Sequence, residues 1–571
     1  YLSCDFGIVQ FNLSSLLFGD TYFIGNNGNE VRVNQTAIAN GFIFASCDYN
    51  GIRRANITSP NLINFSEWTE INPGAWNGIT QIGTQIVAMN ANGNLNRYNG
   101  TTFQPFIQFS QTAIDLRSNE NHLTVTFPNQ VSVFNAQLAP ILTLNDSQLQ
   151  QTILPKFTCA TIIGNTVYMG TTEYGIVTTL LNNPGTFNYV LPDGPLRNSA
   201  FGINASTQNL WVVFGGYDSK YNPYEYNNTF SPRLYGISKL FDKEWLNIPA
   251  SEVLGAKALS HIAINPLNPN EVYISSYFSG LLKLENDVPT LLYTPANTNP
   301  NGLENIQVGN NPNDIRVNNP VFDKTGNLWL TNNLVKKALK VFRTNGQWQS
   351  INLESVIPDL TSFGGLLVDK NNTKWIASRR GVIGYNENGG VLKVISEGSD
   401  KGNLPSPDVR TIAIDNRNQL WIGTGKGLRV LSSIDRYNSE GQMNANAIII
   451  LEENVAQELL FQQFITDIVV DGANNKWIGT ANSGVFQFSA DGQKTLQQFT
   501  IDNSPLPSNS INDIDINPLT GEVFFATPQG IVSYKGISTD GSGDLNNVIV
   551  YPNPFRPGYA ETVKITGLLD K

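Results

Sequence analysis

Residues 415–427 read "DNRNQLWIGTGKG", a stretch whose parts each have one physical job in a β-hairpin. Asp415 followed by Asn416 and Asn418 makes a turn, because short polar side chains bond their own backbone and tolerate left-handed dihedrals. "LWIGT" is a short strand rich in β-formers, and Gly427 ends a second turn before "GLRVL" begins another strand. Upstream, "TIAID" supplies the strand that leads into Asp415. The unit therefore reads strand, turn, strand, turn, strand.

The same unit recurs as "DKTGNLWLTNN", "DKNNTKWIASRRGV" and "DGANNKWIGTANSGV". Asp323, Asp369, Asp415 and Asp471 stand six residues before Trp329, Trp375, Trp421 and Trp477. Degenerate copies place Phe524, Tyr273, Trp211 and Tyr168 in the Trp position. Aligning "FASCDYNG" with "WIGTANSG" extends the series back through Thr124, Val87 and Phe44 to Tyr1. Antiparallel strands repeating every ~45 residues without helical periodicity mark propeller blades. Twelve blade cores exceed the usual ~4–8 of one propeller, so the expected fold is all-β, with two tandem seven-bladed β-propellers of which the first is N-terminally truncated.

Counting back from Phe524 assigns residues 1–200 to the first propeller, with about five blades, and 201–535 to the second, with about seven. Residues 536–547 read as a Gly/Ser/Asp linker, and 548–571 as the start of a C-terminal β-sandwich. The chain begins in mid-strand without Met, which points to a natural N-terminus further upstream.

Composition narrows the function class. Charged residues make up only 14%, the net charge is −10, and Asn, Thr and Ser carry the polarity, a profile that suits an extracytoplasmic protein and argues against nucleic acid as a partner. No apolar run approaches the ~18–20 residues that span a bilayer, so no transmembrane segment is expected. Cys4, Cys47 and Cys159 have no metal-ligand spacing. Cys4 and Cys47 fall at one position of successive blades, about 10 Å apart, beyond the ~7 Å reach of a disulfide; both are expected to be free, buried thiols.

Catalytic and cofactor signals are sparse. His122 and His261 stand alone, without a nucleophile motif, so no catalytic residue, cofactor or metal is assigned. "SADGQKTL" at 489–496 is a degenerate sialidase-type box, and Asp540, Ser542 and Asp544 read as linker rather than as a calcium loop. The repeat alignment does expose one constellation. The second turns of consecutive blades carry Lys336 and Lys337, then Arg379 and Arg380, then Lys426 with Arg429, a candidate patch for an anionic glycan.

The "D-x-x-G/N-x-L/K-W-I-G-T" units resemble the regulator-type repeats of the double propellers on Bacteroidetes surfaces. "DFGIVQFNLSSLLFGDTYFIGNNG", the blade around "LWVVFGGYDSKYNPYEYNN" and "ISSYFSGLLKLE" resemble the PorZ family of the type IX secretion system more closely. "VIVYPNPFRPGYAETVKITG" resembles the start of a type IX sorting domain, with Tyr551, Pro552, Asn553, Pro554 and Phe555 as its opening motif. This resemblance implies a non-enzymatic surface protein at the extracellular face of the outer membrane, exported through the periplasm. Its implied partners are a PorU-like sortase, PorV- and PorQ-like barrels and anionic lipopolysaccharide. The alternative is a glycan-sensing double-propeller ectodomain of a hybrid two-component receptor.

Overall fold

The computed structural model describes residues 1–149, 154–172, 174–225, 232–309, 311–438, 441–452, 455–536, 538–539, 548–551, 564–566 and 568. The chain forms two compact units, Tyr1–Pro192 and Asp193–Lys571.

Unit one holds five consecutive antiparallel sheets. The first, Leu2–Cys4 with Gly7–Asn12 and Leu17–Tyr22, has three strands. It corresponds to the second, third and outermost strands of the blades that follow, because Cys4 pairs with Gly7 as Cys47 meets Gly51. Four four-stranded blades come next, beginning at Val33, Trp76, Asp115 and Phe157.

Unit two is a closed ring. Seven sheets have innermost strands Ala200–Ala205, Leu259–Ile264, Val317–Phe322, Phe363–Val368, Val409–Ile414, Ile465–Val470 and Asp513–Ile516. Each innermost strand packs on the next, and the seventh packs back on the first. Five of these blades have four strands; the fifth and seventh have three. A hairpin, Ile449–Glu452 with Val455–Glu458, follows the fifth blade. Ile549–Tyr551 pairs with Lys564–Thr566 where the sorting-like sandwich was expected. Pro552, Asn553, Pro554, Phe555, Asp540, Ser542 and Asp544 lie outside the described residues.

The aromatic series maps onto the second strand of each blade without a slip. Trp477 pairs with Val469, Trp421 with Ala413, Trp375 with Leu367 and Phe44 with Ala37, all on equivalent rungs. The aspartates do more than form turns. In the third, fourth and fifth blades of unit two, Oδ1 of Asp323, Asp369 and Asp415 accepts backbone N–H groups two and four residues on. Oδ2 accepts the indole N–H of Trp329, Trp375 or Trp421 at 2.9, 3.0 and 3.1 Å. The six-residue spacing is thus the length of a turn that returns a buried Trp to its own carboxylate.

A lysine from the next blade completes two of these clamps. Lys374 lies 4.0 Å from the Trp329 ring centroid and bonds Glu387. Lys476 lies 4.5 Å from the Trp421 ring and bonds Asp415 Oδ2 at 3.0 Å, both side chains being fully buried. Burial pulls the ammonium pKa of both lysines down, against the carboxylates that hold it up.

The cysteines follow the blade register. All three are free; Cys47 is buried, and burial pushes its thiol up to about 12. Cys4 is half-buried rather than buried, because its sheet has no innermost strand beside it.

Asp415→Ala leaves Lys476 buried without its counterion and should cost about 3–5 kcal/mol. Asp471 bonds Asn475, Gln487 and two backbone N–H groups, so Asp471→Ala should cost about 1–2 kcal/mol. Denaturant unfolding checks this, and equal losses would contradict the role given to the inter-blade lysine.

Candidate functional site

The innermost strands of unit two share a pattern. The third residues of the first six are Gly202, His261, Asn319, Gly365, Thr411 and Asp467, and Asp513, first in the shorter seventh strand, pairs with Ala526 as Asp467 pairs with Gly479; all are polar or Gly in strands otherwise dominated by apolar residues. In the first six blades a register shift lies near this position. All of these residues but Gly202, together with Asn318, Arg410, Thr466 and Asn512, line a cavity of about 240 Å³ at the centre of the ring.

The cavity has a roof, supplied by the loop 215–225 that follows the second strand of the first blade. Tyr221, at φ +55°, stacks on Phe464 with ring centroids 4.4 Å apart. The Arg410 guanidinium lies 5.4 Å from Tyr221 and 5.2 Å from Phe464, donates to the Tyr221 carbonyl at 3.2 Å, and pairs with Asp408. Arg379 donates to the Lys220 carbonyl and to Asn222 Oδ1. Asp218 ties the loop internally through the N–H groups of Lys220 and Asn222.

The floor holds two carboxyl groups. Asp467 accepts from Ile514 N–H at 2.9 Å and Thr411 Oγ1 at 3.0 Å; Asp513 accepts from Ile203 N–H at 2.7 Å. The two carboxyls also hydrogen-bond each other. Burial raises both pKa values, and the neighbouring charge raises Asp513 further. These carboxyls are held by backbone and hydroxyl donors of three blades, which makes them a seam of the ring. His261 is neutral near pH 7, because burial lowers it to about 4, and its Nδ1 has no partner. Among the described residues no group of three or more His, Cys, Asp or Glu is placed to hold a metal. Among the described residues no helix is long and apolar enough to cross a membrane.

Five of the six basic residues expected to form one patch lie in equivalent turns of three consecutive blades. Lys336 and Lys337 lie in one turn, Arg379 and Arg380 in the next blade's equivalent turn, and Lys426 in the following one. Lys336 pairs with Glu354 at 3.1 Å and Arg380 with Asp359 at 2.8 Å, at exposed sites. Arg379 faces the roof. Arg429 lies on the strand Gly427–Leu431 rather than in a turn, and bonds Glu458 at 3.0 Å. Sequence reasoning missed the roof and the acid pair; the usable signal was the polar residue or Gly at one equivalent position of each innermost strand.

Residues 1–69 match the family described as the PorZ N-terminal beta-propeller domain of the type IX secretion system, which bears out the resemblance read from the sequence. Residues 403–426 match the two-component regulator propeller. Among solved structures, PorZ of Porphyromonas gingivalis, an essential surface component of the type IX secretion system, is 22% identical over 100% of this chain and 77% of its own, with a TM-score of 0.66. Two extracellular domains from B. thetaiotaomicron also overlay: BT4673, at 12% identity over 93% of this chain and 72% of its own (TM-score 0.43), and BT3049, at 15% over 91% and 80% (TM-score 0.34). Comparison with curated proteins gives no match.

The acid pair sets a pH dependence. A carboxyl whose folded pKa lies above its unfolded value contributes stability that is fully present below the unfolded pKa and lost as pH rises through the folded one. Thermal stability should therefore fall as pH rises from the ordinary carboxyl pKa to the raised Asp513 pKa and level off above it, and Asp513→Asn should flatten that fall. A variant that keeps the wild-type profile in thermal melts would contradict the raised Asp513 pKa.

Proposed function

We propose that this chain is a non-enzymatic surface component of a type IX secretion machinery, acting at the extracellular face of the outer membrane after export through the periplasm. The observation that carries this reading is the match of residues 1–69 to the PorZ N-terminal propeller family. The PorZ-like fold of the whole chain supports it. In this reading the propellers are scaffolds: they hold a PorU-like sortase beside PorV- and PorQ-like barrels and present anionic lipopolysaccharide for attachment to secreted cargo.

Within that role the glycan contacts fall to the exposed turn cations Lys336, Lys337, Arg380 and Lys426, which lie in equivalent turns of three consecutive blades. Arg379 and Arg429 are committed to the roof and to Glu458, so they support the surface rather than offer free charge. Exposed cations bind anions weakly one at a time and are screened by salt, so affinity would come from several acting together.

Isolation of the tagged protein from its native cell tests the reading. A PorU-like protease should co-purify from the outer-membrane fraction, and the tag should be open to external protease. Recovery from the inner membrane as part of a kinase-bearing receptor would overturn it in favour of the glycan-sensing alternative. Separately, Lys336, Lys337, Arg380 and Lys426 changed together to Glu should weaken binding of anionic lipopolysaccharide at least tenfold at low salt, measured by surface plasmon resonance. Unchanged binding would remove the patch from the proposal.

A further inference from the structure

The seventh blade of unit two ends at an open edge. Its strands Asp513–Ile516, Glu522–Thr527 and Gly530–Lys535 are joined in that order, and no described strand lies beyond the last. Thr527 and Gly530 close the hairpin, so the ladder alternation points the backbone groups of Ile531, Ser533 and Lys535 outward. Among the described residues nothing bonds those outward N–H and C=O groups. Such an edge is a ready template for another strand.

The repeat shows what the missing strand would bring. At the start of the third strand in the first, second, fourth and sixth blades stand Gly236, Gly280, Gly381 and Gly484. A Cβ there would sit 2.1, 2.0, 2.2 and 2.0 Å from the carbonyl oxygens of Ile248, Tyr293, Ile395 and Phe499, each the last residue of the blade's outermost strand. Each of these apolar residues pairs with the residue after the glycine: Ile237, Leu281, Val382 and Val485. Gly530 keeps the glycine, but no carbonyl occupies the place; the nearest atom to its Cβ position is Pro507 Cγ at 3.3 Å. Ile531 likewise lacks its cross-strand apolar partner.

The fifth blade, also three-stranded, makes the contrast. There the Leu460 carbonyl lies 3.1 Å from the Gly427 Cβ position, Asn446 exchanges two backbone hydrogen bonds with Val430, and Ile448 and Leu459 pack on the sheet. The chain fills that seat from its own insertion. After Lys535 the chain instead turns away from its edge: Gly536 and Ser538 lie against Gly521, in the turn between the innermost and second strands.

We propose that the free edge of the seventh blade is a docking strand, which takes an extended segment of a partner polypeptide as the blade's fourth strand. The partner segment runs antiparallel to Gly530–Lys535, gives a backbone carbonyl to the space beside Gly530, and places an apolar residue opposite Ile531. Main-chain hydrogen bonds supply affinity, and the apolar residue supplies register.

The sixth blade's own outermost strand provides the probe, as the capped peptide Lys-Thr-Leu-Gln-Gln-Phe-Thr with the sequence of residues 494–500. Added to the full chain, it should bind in titration calorimetry and slow amide exchange at Ile531, Ser533 and Lys535 at least tenfold. Replacing the peptide's Phe by Asp should abolish both effects. Ser533→Pro removes one outward N–H at a position where an edge strand accepts proline; it should raise the Kd at least tenfold while the melting temperature stays within a few degrees. Absence of binding and protection would overturn the proposal. So would outward amides that already exchange slowly in the free protein, because the chain itself would then cover the edge.

Discussion

Seven sheets can share one axis only if the last meets the first, and in unit two that closure rests on hydrogen bonds between residues 310 positions apart. Asp513 and Asp515 accept the backbone N–H groups of Ile203 and Ala205, each at 2.7 Å, and Asn512 donates to the Ala200 carbonyl. Beside them Ala200, Val212 and Phe214 of the first blade share a buried cluster with Phe524 and Ala526 of the seventh. Buried hydrogen bonds of this kind contribute about 0.5–1.5 kcal/mol each, and more where the acceptor is charged. The chain-closure entropy grows only as the logarithm of loop length, so a few such bonds with an apolar cluster suffice. The cavity, its roof and the row of basic turns all take their positions from this closure.

Between closures the ring is held by local devices that repeat. The Asp–Trp clamp satisfies a buried indole N–H within its own blade, and Lys374 and Lys476 reach across to the ring of the preceding blade. Burial works against the Asp323 carboxyl, yet bonds from Trp329, Asn327 and Thr325 lower it to about 2. That clamp therefore contributes stability above the unfolded carboxylate pKa and loses it as pH falls toward 2. Where the next blade offers Val523 instead of a lysine, other aromatic side chains take over the packing: Trp477 contacts Phe499, Phe525 and Tyr534.

The blade register was legible because it is local. A spacing of six residues from Asp to Trp and a glycine after the second strand set hairpin geometry without reference to anything distant, and the weakest copies, Val87 and Thr124, still fall on the same rung. The site was less legible because it is assembled from six separated strands and a loop of the first blade. Arg379 reads as a surface cation in its own turn; only the ring brings Lys220 and Asn222 against it. Asp467 and Asp513 read as ordinary strand polar residues until the ring brings both to one cavity. The open edge at Gly530 was hidden for the opposite reason, since the sequence keeps the glycine although no carbonyl fills the place beside it.

Closure of the second ring is the claim on which the cavity, the acid pair and the seventh-blade edge all depend. Residue-resolved hydrogen exchange at Ile203 and Ala205 measures it most directly, because their acceptors lie on the last blade. The account predicts that both amides exchange as slowly as those of the buried strand Leu420–Thr424, and that Asp513→Ala with Asp515→Ala releases them while Leu420–Thr424 stays protected. Fast exchange at Ile203 and Ala205 in the unmodified protein would contradict a closed seven-bladed ring.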